Sequence, residues 1–364
     1  MNSTERNPAA DPRDSRFRRQ LCAEVLDGGS TVVLGGRAFR AAELLEATGK
    51  SFDEVFRGWV KNVWIPKQRA VVDACTADKT SRKRYESLRE RVRSESIVAF
   101  VGSGASKPFG YPLWKAFLSG LLKWAEGIDE PTLDTVITQR GFEDAASRLC
   151  DCIHARHWNE QLLAEFGPPD TEGLGQIDAP VQWIPLLSPK MVVTTNYDPV
   201  LELIFERVGR AFQHVLVGAD IGRFRDLRTK NKRCLLKIHG DRENPSTRVL
   251  TREEYDRAYA PLSDGRRELT LLFQNYSMLF VGCSLATDRT MDLLLEIART
   301  DGGMPAHFAL MSRPASDSEW LKRDRFLSDR GIEAIWYPQD HNVALEGLLG
   351  MLAIETGKVW SDHG

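Results

Sequence analysis

The sequence predicts an α/β fold, a Rossmann-like doubly wound parallel sheet with helices on both faces, preceded by a small mainly helical N-terminal region. Three observations predict it. Short all-apolar runs recur along the chain, as expected of strands covered on both faces. Each is followed by a stretch with helical spacing, the alternation of βαβ units. The first run, Ile97 to Val101, ends in Gly102-Ser103-Gly104, and strand, glycine turn and helix together present backbone N–H groups to a phosphate.

Taken in order, residues 1–15 read as a disordered tail and residues 16–93 as a helical cap or assembly region. Thr31 to Leu34 suits a short strand, and Ala41 to Leu45 and Phe52 to Val63 suit amphipathic helices bearing Trp59 and leading to Trp64. Lys79 to Arg93 is a basic helix. Such a helix is ordinarily a solvated face; contact with nucleic acid or an acidic partner is left open here and for the loop run Arg223 to Arg233.

Residues 94–357 carry the alternation. Strand Ile97–Val101 precedes a helix over Leu113 to Trp124, and Gly141 to His154 and Trp158 to Phe166 suit further helices before a loop from Gly167 to Gly175. Strand Met191–Thr194 precedes helix Asp198–Val208, and strand Cys234–Ile238 precedes helices Arg252–Tyr259 and Arg266–Asn275. Met278–Val281, His307–Met311 and Ile332–Trp336 are strands, each followed by a helix: Thr290–Thr300, Asp317–Arg330 and Val343–Ile354.

Bulk properties exclude several classes. The 364 residues carry a net charge of −2, so no global field draws the chain to nucleic acid or membrane. Six cysteines include no Cys-x-x-Cys pair, which suits reduced thiols. The N-terminus has no apolar signal region and no run spans a bilayer, so the expectation is a cytoplasmic protein without a membrane partner. Cys150 and Cys152 beside His154 and His157 do not make a metal site, because residues two apart on a helix face different ways.

The chemistry collects after the strands, where ligands of doubly wound sheets bind. Gly102-Ser103-Gly104-Ala105-Ser106 follows the first, Thr195-Asn196-Tyr197-Asp198 the second, His239-Gly240-Asp241 the third and Gly282-Cys283-Ser284 the fourth. Gly104 would let a pyrophosphate approach. A Rossmann third glycine is missing, since position 107 is Lys107, and so is a P-loop Gly-Lys-Ser/Thr. Cys283 has no base in its motif and does not suit a nucleophile.

These strings, with Gly110-Tyr-Pro112-Leu-Trp114, Thr194-Thr-Asn196-Tyr-Asp198, Ile238-His239-Gly240 and Val281-Gly282-Cys-Ser284-Leu285, resemble the SIR2 (sirtuin-like) family in its prokaryotic anti-phage branch. The resemblance implies an NAD site: Asn196 and His239 catalytic; Gly102, Ser103, Gly104, Ala105, Ser106, Trp114, Thr195, Asp198, Gly282 and Ser284 holding the dinucleotide. Asn196 would hold a water or the ribose hydroxyls, and His239 would accept a proton near neutral pH. Asp198 equally suits a helix N-cap.

Departures from the family shape the functional expectation. Deacylating members carry Pro-Asp-Phe-Arg where this chain has Pro112-Leu-Trp114-Lys115, and a four-cysteine zinc module where Arg242 to Ser277 has no cysteine. The resemblance therefore implies an NAD+ hydrolase releasing nicotinamide and ADP-ribose, with NAD as substrate, no zinc, and a role as effector of anti-phage defence. The alternatives are an NAD-dependent protein deacylase and a silent NAD or ADP-ribose sensor. Relatives are encoded beside a HerA-like ATPase or joined to short Argonaute proteins, so a homo-oligomer and a separate ATPase partner are further expectations.

Overall fold

The structure, a computed structural model, describes residues 31–34, 37–40, 57–168, 179–227, 232–286, 289–300, 304–338 and 340–359. The tail 1–15, helix Ala41–Leu45, the start of helix Phe52–Val63, most of the loop after Gly167 and part of the basic run Arg223–Arg233 lie outside them.

The expected strand β1 (Thr31–Leu34) is present and pairs antiparallel with β2 (Arg37–Arg40). A π-helical turn at Val60–Trp64 runs into α1 (Ile65–Cys75), which starts with a proline in its first turn. Helix α2 (Lys79–Arg93) opens at Asp78, whose carboxylate accepts from the Thr80 and Ser81 amides. The basic helix is not wholly a free face. Arg84 forks onto Asp324 at 2.7 and 3.0 Å, and Arg89 reaches Glu355 at 3.5 Å. Residues 57–93 share one core with the sheet, since Trp59, Trp64, Val71, Leu88 and Val92 pack in the same cluster as Ile97, Ala99 and Val101.

The central sheet holds seven parallel strands in the order β5-β6-β4-β3-β7-β8-β9. These are β3 (Ile97–Val101), β4 (Met191–Thr194), β5 (His214–Val217), β6 (Cys234–Lys237), β7 (Ser277–Val281), β8 (His307–Ser312) and β9 (Ile332–Tyr337). Alternate residues feed the two faces: Ile97, Ala99 and Val101 one core, Val98 and Phe100 the other. The first core takes α1, α2 and the helices α3 (Trp114–Leu121), α5 (Phe142–Cys152), α6 (Ala155–Glu165) and α12 (His341–Glu355). The second takes α9 (Asp264–Asn275), α10 (Arg289–Ala298) and α11 (Asp317–Ser328). Helices α4 (Glu130–Arg140), α7 (Val200–Arg207) and α8 (Arg252–Ala258) complete the chain order.

The strand order reverses at β3. The chain moves from β3 to β4 on one side and returns to β7 on the other, and this switch point opens a crevice at the carboxyl ends. Register makes that edge flush. Val101 pairs with both Thr194 and Val281, and Thr194 pairs with Lys237. The four polar strings named above therefore emerge side by side.

The helix expected over Leu113–Trp124 is present as α3 and a 3-10 turn, and it stands apart from the glycine turn. Two 3-10 turns, Ser103–Ala105 and Lys107–Phe109, intervene, and Gly110 closes the second at φ +87°. Pro108 and Pro112 flank that glycine and keep an α-helix from starting before Trp114. The glycine turn is therefore not the N-terminus of an α-helix, and any anion there would meet loop and side-chain groups instead.

Candidate functional site

A cavity of about 770 Å³ opens over the switch point. Its floor is Gly102, Ser103, Gly104, Thr195, Gly282, Cys283 and Ser284. One wall carries Trp114, His239 and Tyr255; the opposite end carries Met311, Ser312, Tyr337 and His341. Lys115, Arg140, Arg252 and Arg289 bring positive charge to the rim. The size suits a ligand of several rings, since pockets for such molecules run from about 300 to about 1,000 Å³.

The glycines of the floor serve loop-on-loop packing. A Cβ at Gly104 would lie 2.8 Å from the Gly282 carbonyl oxygen, and one at Gly102 2.6 Å from the same atom. Gly282 sits at φ +67°, and its own Cβ would stand 2.4 Å from the Ala105 nitrogen. The space saved at Gly104 is thus taken by the β7 loop. Three of the four backbone donors of Gly102–Ala105 are likewise committed. Gly102 N–H donates to Val281, Gly104 N–H to Gly282 and Ala105 N–H to Gly102. These three amides, expected to face a phosphate, instead stitch the floor together.

Asn196 lies under this floor. Its side-chain NH₂ donates to the Gly102 carbonyl at 3.1 Å and to Ser106 Oγ at 3.0 Å, while its Oδ1 has no protein partner. Its amide donates to Thr194 Oγ1, which in turn donates to the Val101 carbonyl. Asn196 and Ser106 are both buried and absent from the cavity wall, as are Ala105 and Asp198. Asp198 accepts from the Val200 amide at 3.1 Å but is not the helix N-cap it was expected to suit, since Pro199 takes that place and the helix starts at Val200. Burial pushes its carboxyl up to about 6, against that bond and one from Ser106.

Beside them Lys237 is fully buried. Its ammonium reaches Glu202 at 3.0 Å, Asp241 at 2.7 Å and the carbonyls of Tyr197 and Asp198 at 3.1 and 3.3 Å. A buried cation persists only with such partners. Here they tie the Asn196 loop to the His239 loop.

His239 stands on the cavity wall. Nε2 is 2.5 Å from the Tyr255 hydroxyl, Nδ1 has no protein partner, and the Trp114 ring lies 5.9 Å away. Desolvation pushes its pKa down to about 3, so the ring is neutral at physiological pH. The neutral imidazole is the form that can accept a proton.

Of the expected ligand residues, Gly102, Ser103, Gly104, Trp114, Thr195, Gly282 and Ser284 share the cavity with His239. Tyr255, Glu143, Arg289, Tyr337 and His341 also line it and were not singled out in the sequence. They come from helices and strand ends without a motif. Thr251-x-x-Glu254, a capping box, does announce the helix that presents Tyr255. Arg289 holds Glu143 at 2.8 Å and Asp256 at 2.6 Å. Among the described residues no group of three or more His, Cys, Asp or Glu is placed to hold a metal ion, and no helix is long and apolar enough to cross a membrane.

Comparison with known proteins finds one family model and several relatives that match part of the chain. A SIR2-like domain matches residues 190–335, which include the Asn196 and His239 loops and the Gly282 turn. Two proteins named NAD(+) hydrolase ThsA are related in sequence. The one from Bacillus cereus (strain MSX-D12) is 23% identical over 248 residues, covering 66% of this chain and 48% of that protein. The one from Acinetobacter baumannii (strain 532279) is 21% identical over 220 residues, covering 59% and 41%. The chain thus spans under half the length of these curated relatives. The parallel seven-stranded sheet and the switch-point cavity thus belong to a chain whose residues 190–335 match a SIR2-like domain.

Proposed function

We propose that the protein hydrolyses NAD+ at the nicotinamide–ribose bond, giving nicotinamide and ADP-ribose. The observation that carries the reading is the neutral His239 on the wall of a cavity large enough for a dinucleotide and floored by the interlocked glycine turns. The relatives' names point the same way.

Nicotinamide leaves as a neutral group from a cationic precursor, so the bond needs little acid help, and the transition state resembles an oxocarbenium ion. What the protein supplies is position and a dry setting. The nicotinamide riboside lies at the Trp114, His239 and Tyr255 end, and the adenosine at the Tyr337 and His341 end. Lys115 and Arg140 balance the diphosphate between them. Thr195, Ser103 and Ser284 offer hydroxyls along the floor. Asn196, Ser106, Ala105 and Asp198 act from below by fixing the turn on which the ribose rests.

We extend the reading to a bacterial cytoplasmic effector that depletes NAD during phage infection, held off until a trigger arrives. A homo-oligomer, with or without a separate HerA-type ATPase, is the form of control that fits such a toxin. The exposed arginines and lysines of Lys79–Arg93 are the surface offered for it.

The test follows NAD by chromatography with the purified protein in each assembly state it forms. Appearance of nicotinamide and ADP-ribose supports the reading; intact NAD throughout refutes it. His239→Ala should remove turnover, and Asn196→Ala should lower it with loss of the floor's order.

A further inference from the structure

When the bond to nicotinamide breaks, positive charge moves from the pyridinium ring to C1′ and the ring oxygen of the ribose. A negative group beside the ribose lowers that barrier. The cavity wall holds one that no motif announced. Among the described residues on it the carboxylates are Glu143 and Asp292, and Asp292 is exposed. Glu143 is the second residue of α5, which starts at Phe142 behind Gly141 at φ +89°. The backbone dipole favours a carboxylate in the first turn of a helix.

Three contacts place Glu143. Its Oε2 accepts from Arg289 Nε at 2.8 Å. The Arg289 guanidinium lies 5.5 Å from the centre of the Tyr255 ring, and Tyr255 meets His239 at 2.5 Å. Glu143 thus stands at the His239 end of the cavity. Its neighbour Asp144 is spent elsewhere, held on both oxygens by Arg252 at 2.6 and 2.7 Å. The pairing with Arg289 does not cancel the charge of Glu143. Arg289 also donates to Asp256 at 2.6 Å, so one cation serves two carboxylates and the group stays net negative. The Glu143 side chain is 20% exposed against 62% for Asp256, so water screens Glu143 less. Burial raises its carboxyl above the ordinary value, with Arg289 opposing.

We propose that Glu143 is a further catalytic residue, its carboxylate set against the nicotinamide ribose to stabilise the cation that forms there, a role that rests on the hydrolase reading above. As the C1′–nitrogen bond breaks, nicotinamide keeps the electron pair and leaves neutral. The positive charge spreads over C1′ and the ribose ring oxygen beside Glu143. A water oxygen bonds to C1′ and sheds its proton to solvent. Glu143 forms no bond and keeps its charge throughout. Arg289 is the positioning residue, which holds one carboxylate oxygen and leaves the other for the ribose.

Steady-state turnover of Glu143→Gln against Arg289→Gln tests this. Both variants break the same ion pair, so a purely structural role predicts equal losses. Expected instead are a kcat lower by about 100-fold in Glu143→Gln and by no more than about tenfold in Arg289→Gln, where the carboxylate remains. Equal losses of kcat, or wild-type kcat in Glu143→Gln, overturn the role and leave the hydrolase reading standing. A second measurement needs no turnover. Calorimetry in the His239→Ala background compares NAD+ with NADH, whose nicotinamide ring is uncharged. The preference for NAD+ should fall by about fivefold when Glu143→Gln is added, the effect of one nearby charge in a water-like setting. An unchanged ratio overturns the role. Intact NAD with the wild-type protein in every assembly state overturns the hydrolase reading and the role with it.

Discussion

One cavity holds two tyrosine–histidine pairs, Tyr255 with His239 at one end and Tyr337 with His341 at the other, each with oxygen and nitrogen 2.5 Å apart. Their surroundings differ. His239 leaves a strand end and meets Trp114, and desolvation alone sets its pKa at about 3. His341 opens helix α12. Burial lowers its pKa as well, but Asp340 at the cap opposes that and Lys107 adds to it. The same contact thus sits once in a dry wall and once among charges. Only the first is a neutral pair by virtue of packing alone, which is why we place the chemistry there and the recognition at the other end.

Removing each histidine should separate the two ends most sharply. His239→Ala is expected to lower NAD turnover by more than about 100-fold, whereas His341→Ala should act mainly through KM, by several-fold. Equal losses of kcat in steady-state kinetics would erase the distinction.

A second way to break the comparison is to loosen the dry end from below. Lys237→Met leaves Glu202 and Asp241 without their shared cation. A broken buried pair costs about 3–5 kcal/mol. Urea unfolding should show a loss of that order, and the Asn196 and His239 loops should lose order together. A change under about 1 kcal/mol would mean that water already reaches Lys237.

The smallest effect concerns acid. His307 is fully buried and its Nδ1 accepts from the Met278 amide; burial pushes its pKa down to about 3. Between about pH 6.5 and that value the unfolded chain binds a proton that the folded chain does not, so stability falls as pH falls. At pH 5 the loss relative to pH 7 is about 2 kcal/mol. His239 adds in the same sense, with a smaller share because its ring is partly open to the cavity. Asp198 works the other way. Its folded pKa is raised to about 6, so between that value and about 4 the folded chain holds the extra proton and gains stability as pH falls. His307→Gln should flatten the acid limb in urea titrations at pH 7 and pH 5, and Asp198→Asn should steepen it; no change from either would remove this account.

Much of the fold was legible because both faces of the sheet are covered. Strands such as Ile97–Val101 and Met191–Thr194 read as unbroken apolar runs, and helices cap them at regular intervals. Strand His214–Val217 was not, since it lies at the sheet edge, where Val215 faces outward and the run mixes polar with apolar residues. Helix Glu130–Arg140 escaped for a related reason: only Leu133 and Val136 are buried. At the site, the strand-end strings identified the floor. The sequence could not show that Gly104 makes room for Gly282, nor that Tyr255 would meet His239, because both depend on partners far along the chain. The burial that lowers the His239 pKa is likewise encoded by no short motif.

The interlocked turns carry a kinetic consequence. Gly102, Gly104 and Gly282 leave no slack between the β3 and β7 loops, and two amides of one loop are spent on carbonyls of the β7 side. Neither turn can breathe alone. If product must escape across this floor, opening is a concerted event with a single barrier, and a side chain added on either loop would change the release rate and the affinity together.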